Sequence, residues 1–174
     1  MSVGSVGTVG FIGLGNVGGA LAGSLLRNGV DLTVRDLDRA AAQPVLDAGA
    51  HWADSPREMA ERCDLVVTCL PNPAASAEVV EADDGLLGAL GPGKMWAEMS
   101  TTDHAEVLRL GARVRAVGAE PLDCPVSGGC HRAASGNIAI FAGCERAVFE
   151  RALPVFSIMG DGSCTRAGSA RPRC

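Results

Sequence analysis

A doubly wound, mostly parallel α/β sheet is the fold class this sequence predicts, and three observations predict it. Short apolar runs, several of them apolar on both faces, alternate with segments of helical periodicity between residues 8 and 158. Strands without a polar face belong to parallel sheets covered by helices on both sides. The alternation is regular, which implies right-handed helical crossovers between neighbouring parallel strands. The 174 residues, 47% of them hydrophobic, suit one domain with a packed core.

The elements follow in order. Strands are expected at TVGFI (8–12), DLTVR (31–35), DLVVTCL (64–70), KMWAEM (94–99), AEPLD (119–123) and IAIFAG (138–143), with a short one at His51 and Trp52. Helices are expected at 17–28, 38–48, 55–62, 73–82, 103–116 and 145–158. Leu21, Leu25 and Leu26 give the first helix an apolar stripe, Ser55-Pro56 opens the third, and Thr102 or Asp103 caps the fifth. From residue 160 the chain reads GDGSCTRAGSARPRC, without one Val, Leu, Ile, Phe or Met. Residues 1–160 are therefore read as the domain and 161–174 as an aberrant, disordered tail.

Composition narrows the partners. A formal charge of −5, with both signs interspersed, offers no basic stripe for nucleic acid. No run approaches the ~20 apolar residues of a membrane span, and the glycine-broken start lacks the basic leader of a secretory signal. Seven cysteines without a C-x-x-C pair read as reduced thiols in a cytoplasm, with no metal site.

The first strand runs into Gly13-Leu14-Gly15-Asn16-Val17-Gly18, and the second ends at Asp36, about twenty residues on. A G-x-G-x-x-G loop between strand and helix, followed by an acid at that distance, is the dinucleotide fingerprint. Gly13 permits the tight turn, Gly15 lets backbone approach a pyrophosphate, and Gly18 lets the helix pack on the sheet. Asp36 suits the ribose hydroxyls of NAD and repels the 2′-phosphate of NADP. Arg35 and Arg39 keep NADP open.

The string GFIGLGNVGGALAGSLLRNG, with CLPNP (69–73), GLLGALGPGKMWAEMSTTD (85–103) and LDCPVSGG (122–129) in order, resembles the β-hydroxyacid dehydrogenase family. That family includes 3-hydroxyisobutyrate dehydrogenase, tartronate semialdehyde reductase and 6-phosphogluconate dehydrogenase. The resemblance implies a Rossmann-like domain, a nicotinamide cofactor and reversible oxidation of a small β-hydroxyacid. It places Leu70, Pro71 and Asn72 on the nicotinamide ribose, Thr101 on the cofactor and Ser100 at the substrate end. Ser127, Gly128 and Gly129 would hold the substrate's acid group with consecutive N–H donors, and Arg132 could add a bidentate contact. Arg132 could equally be a solvated helix-start residue.

Hydride transfer from an alcohol needs a proton acceptor. The family's lysine, about ten residues beyond a G-x-x-G stretch, and its asparagine one turn later find no counterpart here. Lys94, in a G-P-G-K turn, is read as solvated, and His131 is the only other candidate, so no catalytic residue is assigned. The family's C-terminal helical domain, which closes the cleft and makes the homo-oligomer, is also missing from the sequence. Fourteen arginines against one lysine suggest GC-rich coding DNA. Read one base earlier from Ser163, such DNA permits L-H-T-G-R-L-G-T-A-S-V, which resembles the segment preceding the family's lysine. The expectation is a frameshifted dehydrogenase, inactive alone and impaired in assembly. A non-catalytic NAD-binding module, half of a split enzyme and an imine reductase are the alternatives.

Overall fold

The computed structural model describes residues 7–160 and the strand 165–167. Its order is β1 (Val9–Ile12), α1 (Asn16–Arg27), β2 (Leu32–Arg35), α2 (Arg39–Asp47), β3 (His51–Trp52), α3 (Pro56–Arg62), β4 (Leu65–Thr68) and α4 (Pro73–Glu81). There follow a 3-10 turn (Leu86–Gly88), β5 (Met95–Glu98), α5 (His104–Ala116), β6 (Glu120–Asp123), β7 (Val126–Ser127), α6 (Gly129–Ala134), β8 (Ala139–Gly143), α7 (Arg146–Met159) and β9 (Thr165–Ala167). The strands stand in the order β3-β2-β1-β4-β5-β6-β8-β7, with β9 beside β8.

From β3 to β6 every pairing is parallel. Each residue of β1, β4 and β5 is buried, which is why these strands carry no polar face. Alternate residues feed two cores: Val9, Phe11, Leu65, Val67, Met95 and Ala97 pack with α1, α2 and α7 on one side. Ile12, Val66 and Trp96 pack with Met59 of α3, Val80 of α4 and Leu110 of α5 on the other. Strand order reverses between β1 and β4. The loops after those two strands diverge there, opening the crevice in which such sheets hold ligands.

The helix starts follow local chemistry. Ser55 accepts the Glu58 amide with Pro56 in the first turn, and Asp103, rather than Thr102, caps α5 by accepting the Glu106 amide at 2.9 Å.

Three departures from the sequence reading have physical causes. The fourth strand stops at Thr68 instead of residue 70, because the Leu70 amide turns to a side chain, Ser100 Oγ, instead of a neighbouring strand. The regular alternation ends after β6: β7 and β8 pair antiparallel, and the turn between β7 and α6 uses positive φ at Gly128 and Gly129. Lys94 is half-buried and tied down rather than free in solvent. Its ammonium donates to the carbonyls of Ala60, Glu61 and Cys63, the unpaired carbonyl end of α3. Of the tail, the backbone of Thr165–Ala167 runs parallel to β8; the remainder of 161–174 lies outside the described residues. Among the described residues no helix is long and apolar enough to cross a membrane, and no cluster of His, Cys, Asp or Glu could hold a metal.

Lys94→Ala should lower unfolding free energy by about 1–3 kcal/mol, the range for hydrogen bonds to a charged group. Urea denaturation checks this, and an unchanged midpoint would return Lys94 to the solvent.

Candidate functional site

The three fingerprint glycines do different work. Gly13 has φ +96°, and a Cβ there would lie 2.2 Å from the Cys69 carbonyl oxygen. A Cβ on Gly18 would lie 1.9 Å from the Gly13 carbonyl oxygen. Both are required by the fold itself, since β4, the turn and α1 cannot otherwise approach. Gly15 is different: a Cβ there meets nothing within 4 Å. It is also the N-cap of α1, with no side-chain cap bond and no acidic residue in the first turn. Among the described residues the first amides of α1 therefore have no side-chain acceptor, beside an opening at the positive end of a helix. That combination suits a phosphate.

The opening belongs to a cleft of about 590 Å³. Gly13 and Gly15 to Gly18 form its centre, Arg35, Asp36 and Leu37 one end, and Cys69, Leu70 and Pro71 the other. Ala75, Glu78 and Val79 of α4 close the side. This wall is fastened to α5, because Glu81 takes the two terminal Arg109 nitrogens, at 2.8 and 2.6 Å, and also pairs with Arg113. Those hydrogen bonds, led by Arg109, pull the Glu81 carboxyl down to about 2.

Asp36 binds the turn to β2. One oxygen accepts the Leu14 amide at 2.6 Å and the other the Asp38 amide at 2.9 Å. A carboxylate offers about four acceptor sites, so both oxygens can still take a hydroxyl. The two arginines that left NADP open are engaged elsewhere. Arg35 donates to the Ala53 and Asp54 carbonyls, and its guanidinium lies 6.0 Å from the Trp52 ring. Arg39 stacks on the same ring at 4.7 Å.

At the other end, Leu70 and Pro71 stand on the cleft, and burial, with Glu98 nearby, pushes the Cys69 thiol up to about 11. This end therefore carries no thiolate near neutral pH. Ser100 is 4% exposed and lies beneath the cleft instead of lining it, with its hydroxyl between the Leu70 amide and Glu98. Asn72 caps α4 through Ala75 N at 2.9 Å, and it and Thr101 are exposed outside the lining. Ser127, Gly128, Gly129 and Arg132 form a separate exposed surface at the start of α6, where the Arg132 stem covers Gly128. His131 is exposed on α6, away from the lining.

Sequence reasoning missed Leu37 and the α4 wall. Leu37 is 95% exposed although it is apolar and directly follows the strand-end acid. The signal for Ala75 and Val79 was their four-residue spacing, which reads equally well as an ordinary core stripe.

Fold and loop together define a nicotinamide-dinucleotide-binding domain. The chain belongs to the family described as the NAD binding domain of 6-phosphogluconate dehydrogenase, whose model matches residues 8–168. It is 35% identical over 159 residues to human mitochondrial 3-hydroxyisobutyrate dehydrogenase, covering 91% of this chain and 47% of that protein. It is 36% identical over 152 residues to an NAD-dependent L-serine dehydrogenase of Pseudomonas aeruginosa, covering 87% of this chain and 51% of that protein. The solved variant of an imine reductase from Myxococcus stipitatus in complex with NAD+ superposes with a TM-score of 0.85 at 25% identity, over 93% of this chain and 55% of that one. That reductase is also known in complex with NADP+. The chain thus spans about half the length of the curated relatives it matches.

The glycines give a paired prediction. Gly15→Val should keep the melting temperature and lose NADH affinity at least tenfold, because its side chain fills only the opening. Gly18→Ala should instead cost stability, on the scale of ~1–3 kcal/mol for overpacking. Thermal melts and NADH titration of both variants check this. Normal NADH binding by Gly15→Val would remove the phosphate site.

Proposed function

We propose that this chain is the NAD(H)-binding half of an oxidoreductase acting on the CH–OH group of a small hydroxyacid. The observation that carries the reading is the opening at Gly15, where, among the described residues, the first amides of α1 lack a side-chain acceptor and no atom occupies the space a Cβ would take. A pyrophosphate fits that opening in charge and size. From there the Gly13–Gly18 loop, with Leu14, Asn16 and Val17, holds the phosphates, and Asp36 takes the adenosine ribose hydroxyls. Leu37 and Val79 supply the apolar faces for the adenine.

Leu70 and Pro71 bound the nicotinamide side, with Asn72 and Thr101 at its rim and Ser100 acting through Leu70. When bound, the nicotinamide ring supplies the hydride acceptor or donor. The chain's own residues orient that ring and keep its surroundings uncharged. Ser127, Gly128 and Gly129, with Arg132 beside them, present amides and a guanidinium suited to a substrate carboxylate. The dehydrogenases among its relatives support this substrate class.

NAD(H) is the preferred cofactor, because a 2′-phosphate would meet Asp36 while Arg35 and Arg39 are held by carbonyls and by Trp52. Unit charges about 4 Å apart interact by ~1–4 kcal/mol between bulk water and a protein surface, so NADH should bind at least about tenfold tighter than NADPH. Replacing Asp36 by Ser should narrow that ratio. Calorimetric titration of both cofactors tests it, and equal affinities in the unaltered chain would overturn the role of Asp36.

A further inference from the structure

Glu98, the last residue of β5, is 0% exposed. Its described hydrogen-bond partners are the amide and the hydroxyl of Ser100. Oε1 accepts the Ser100 amide at 2.9 Å and also the Ser100 hydroxyl. That hydroxyl accepts the Leu70 amide at 2.7 Å. An amide can only donate, so the serine proton has to point at Glu98, and the chain of bonds runs one way from Leu70 through Ser100 to Oε1. Oε1 thus takes two donors, as the carbonyl oxygen of an acid does. Oε2 has no hydrogen-bond partner among the described residues, and neither does the buried hydroxyl of Ser76 on α4. A carboxylate buried this way is costly, and a proton on Oε2 removes the charge and supplies a donor.

We propose that Glu98 is a positioning residue which, through Ser100, holds the Leu70–Pro71 wall against the nicotinamide half of the bound dinucleotide. Glu98 is the neutral acid, its proton on Oε2 facing the α4 side. Burial pushes its carboxyl up, against the Ser100 hydroxyl and amide that pull it down. The wall starts at the point where β4 stops pairing, so among the described residues Ser100 alone fixes the direction of the Leu70 amide. Glutamine has the same shape, with an acceptor for Ser100 and a donor in place of the acid O–H. It reproduces every bond of the neutral form and none that requires a charge.

This inference rests on the dinucleotide reading, and the test separates the two. NADH and ADP-ribose share the adenosine and pyrophosphate, and only NADH carries the nicotinamide. Binding of both is measured by calorimetry for the unaltered chain, Glu98→Ala, Ser100→Ala and Glu98→Gln, with circular dichroism melts to confirm folding. Glu98→Ala and Ser100→Ala should weaken NADH at least fivefold and leave ADP-ribose within twofold. Glu98→Gln should keep both within twofold. Equal weakening of the two ligands would mean a general structural role and overturn the proposal, as would a Glu98→Gln variant as weak for NADH as Ser100→Ala. Should Glu98→Ala fail to fold, the serine and glutamine variants decide alone. If the unaltered chain binds neither ligand, the dinucleotide reading fails and takes this proposal with it.

Discussion

The close backbone approach at Gly13 is the constraint on which the rest of the structure depends. There the chain leaves β1 between the Cys69 carbonyl on one side and the first turn of α1 on the other, with no room for a Cβ at Gly13 or Gly18. The approach draws the ends of β1 and β4 together at the point where strand order reverses. It also aims the N-terminus of α1 across the carboxyl edge of the sheet. The Leu14 amide then reaches Asp36 at the end of β2. One turn thereby registers the three strands whose ends frame the cleft, and Gly15, the only fingerprint glycine with free space, is left facing the opening.

The two ends of the cleft differ in electrostatic character. At the β2 end Asp36 carries the charge, while the arginines that could balance a phosphate lie against Trp52 and backbone carbonyls. At the β4 end the Cys69 thiol is pushed to about 11 and Glu98 is buried among hydroxyls. A ligand with hydroxyls at one end, negative charge in the middle and a ring at the other matches this sequence of environments.

Much of this was legible in the sequence, for identifiable reasons. β1, β4 and β5 are buried on both faces, so their apolar runs stood out, and the glycine loop announced itself because steric exclusion leaves no alternative residue at two of its positions. Less legible was anything depending on a partner distant in the chain. Lys94 looked solvated because its turn is polar, yet its acceptors lie more than thirty residues earlier. Ser100 looked like a ligand contact because it follows a strand at the right edge, while the bond that fixes it comes from Leu70. β7 is two residues long and α6 six, too short for either period to register. Leu37 carried no pattern at all, since a single exposed leucine is ordinary until the cleft beside it is seen.

The central claim is that a dinucleotide lies across the Gly13–Gly18 turn with its two halves toward Asp36 and Leu70. Amide hydrogen exchange with and without saturating NADH, resolved to short peptides, tests this most directly. Exchange should slow in the peptides holding residues 13–18, 36–37 and 69–72, with the largest effect at the start of α1. Slowing confined to other segments, or none at saturation, would contradict the account.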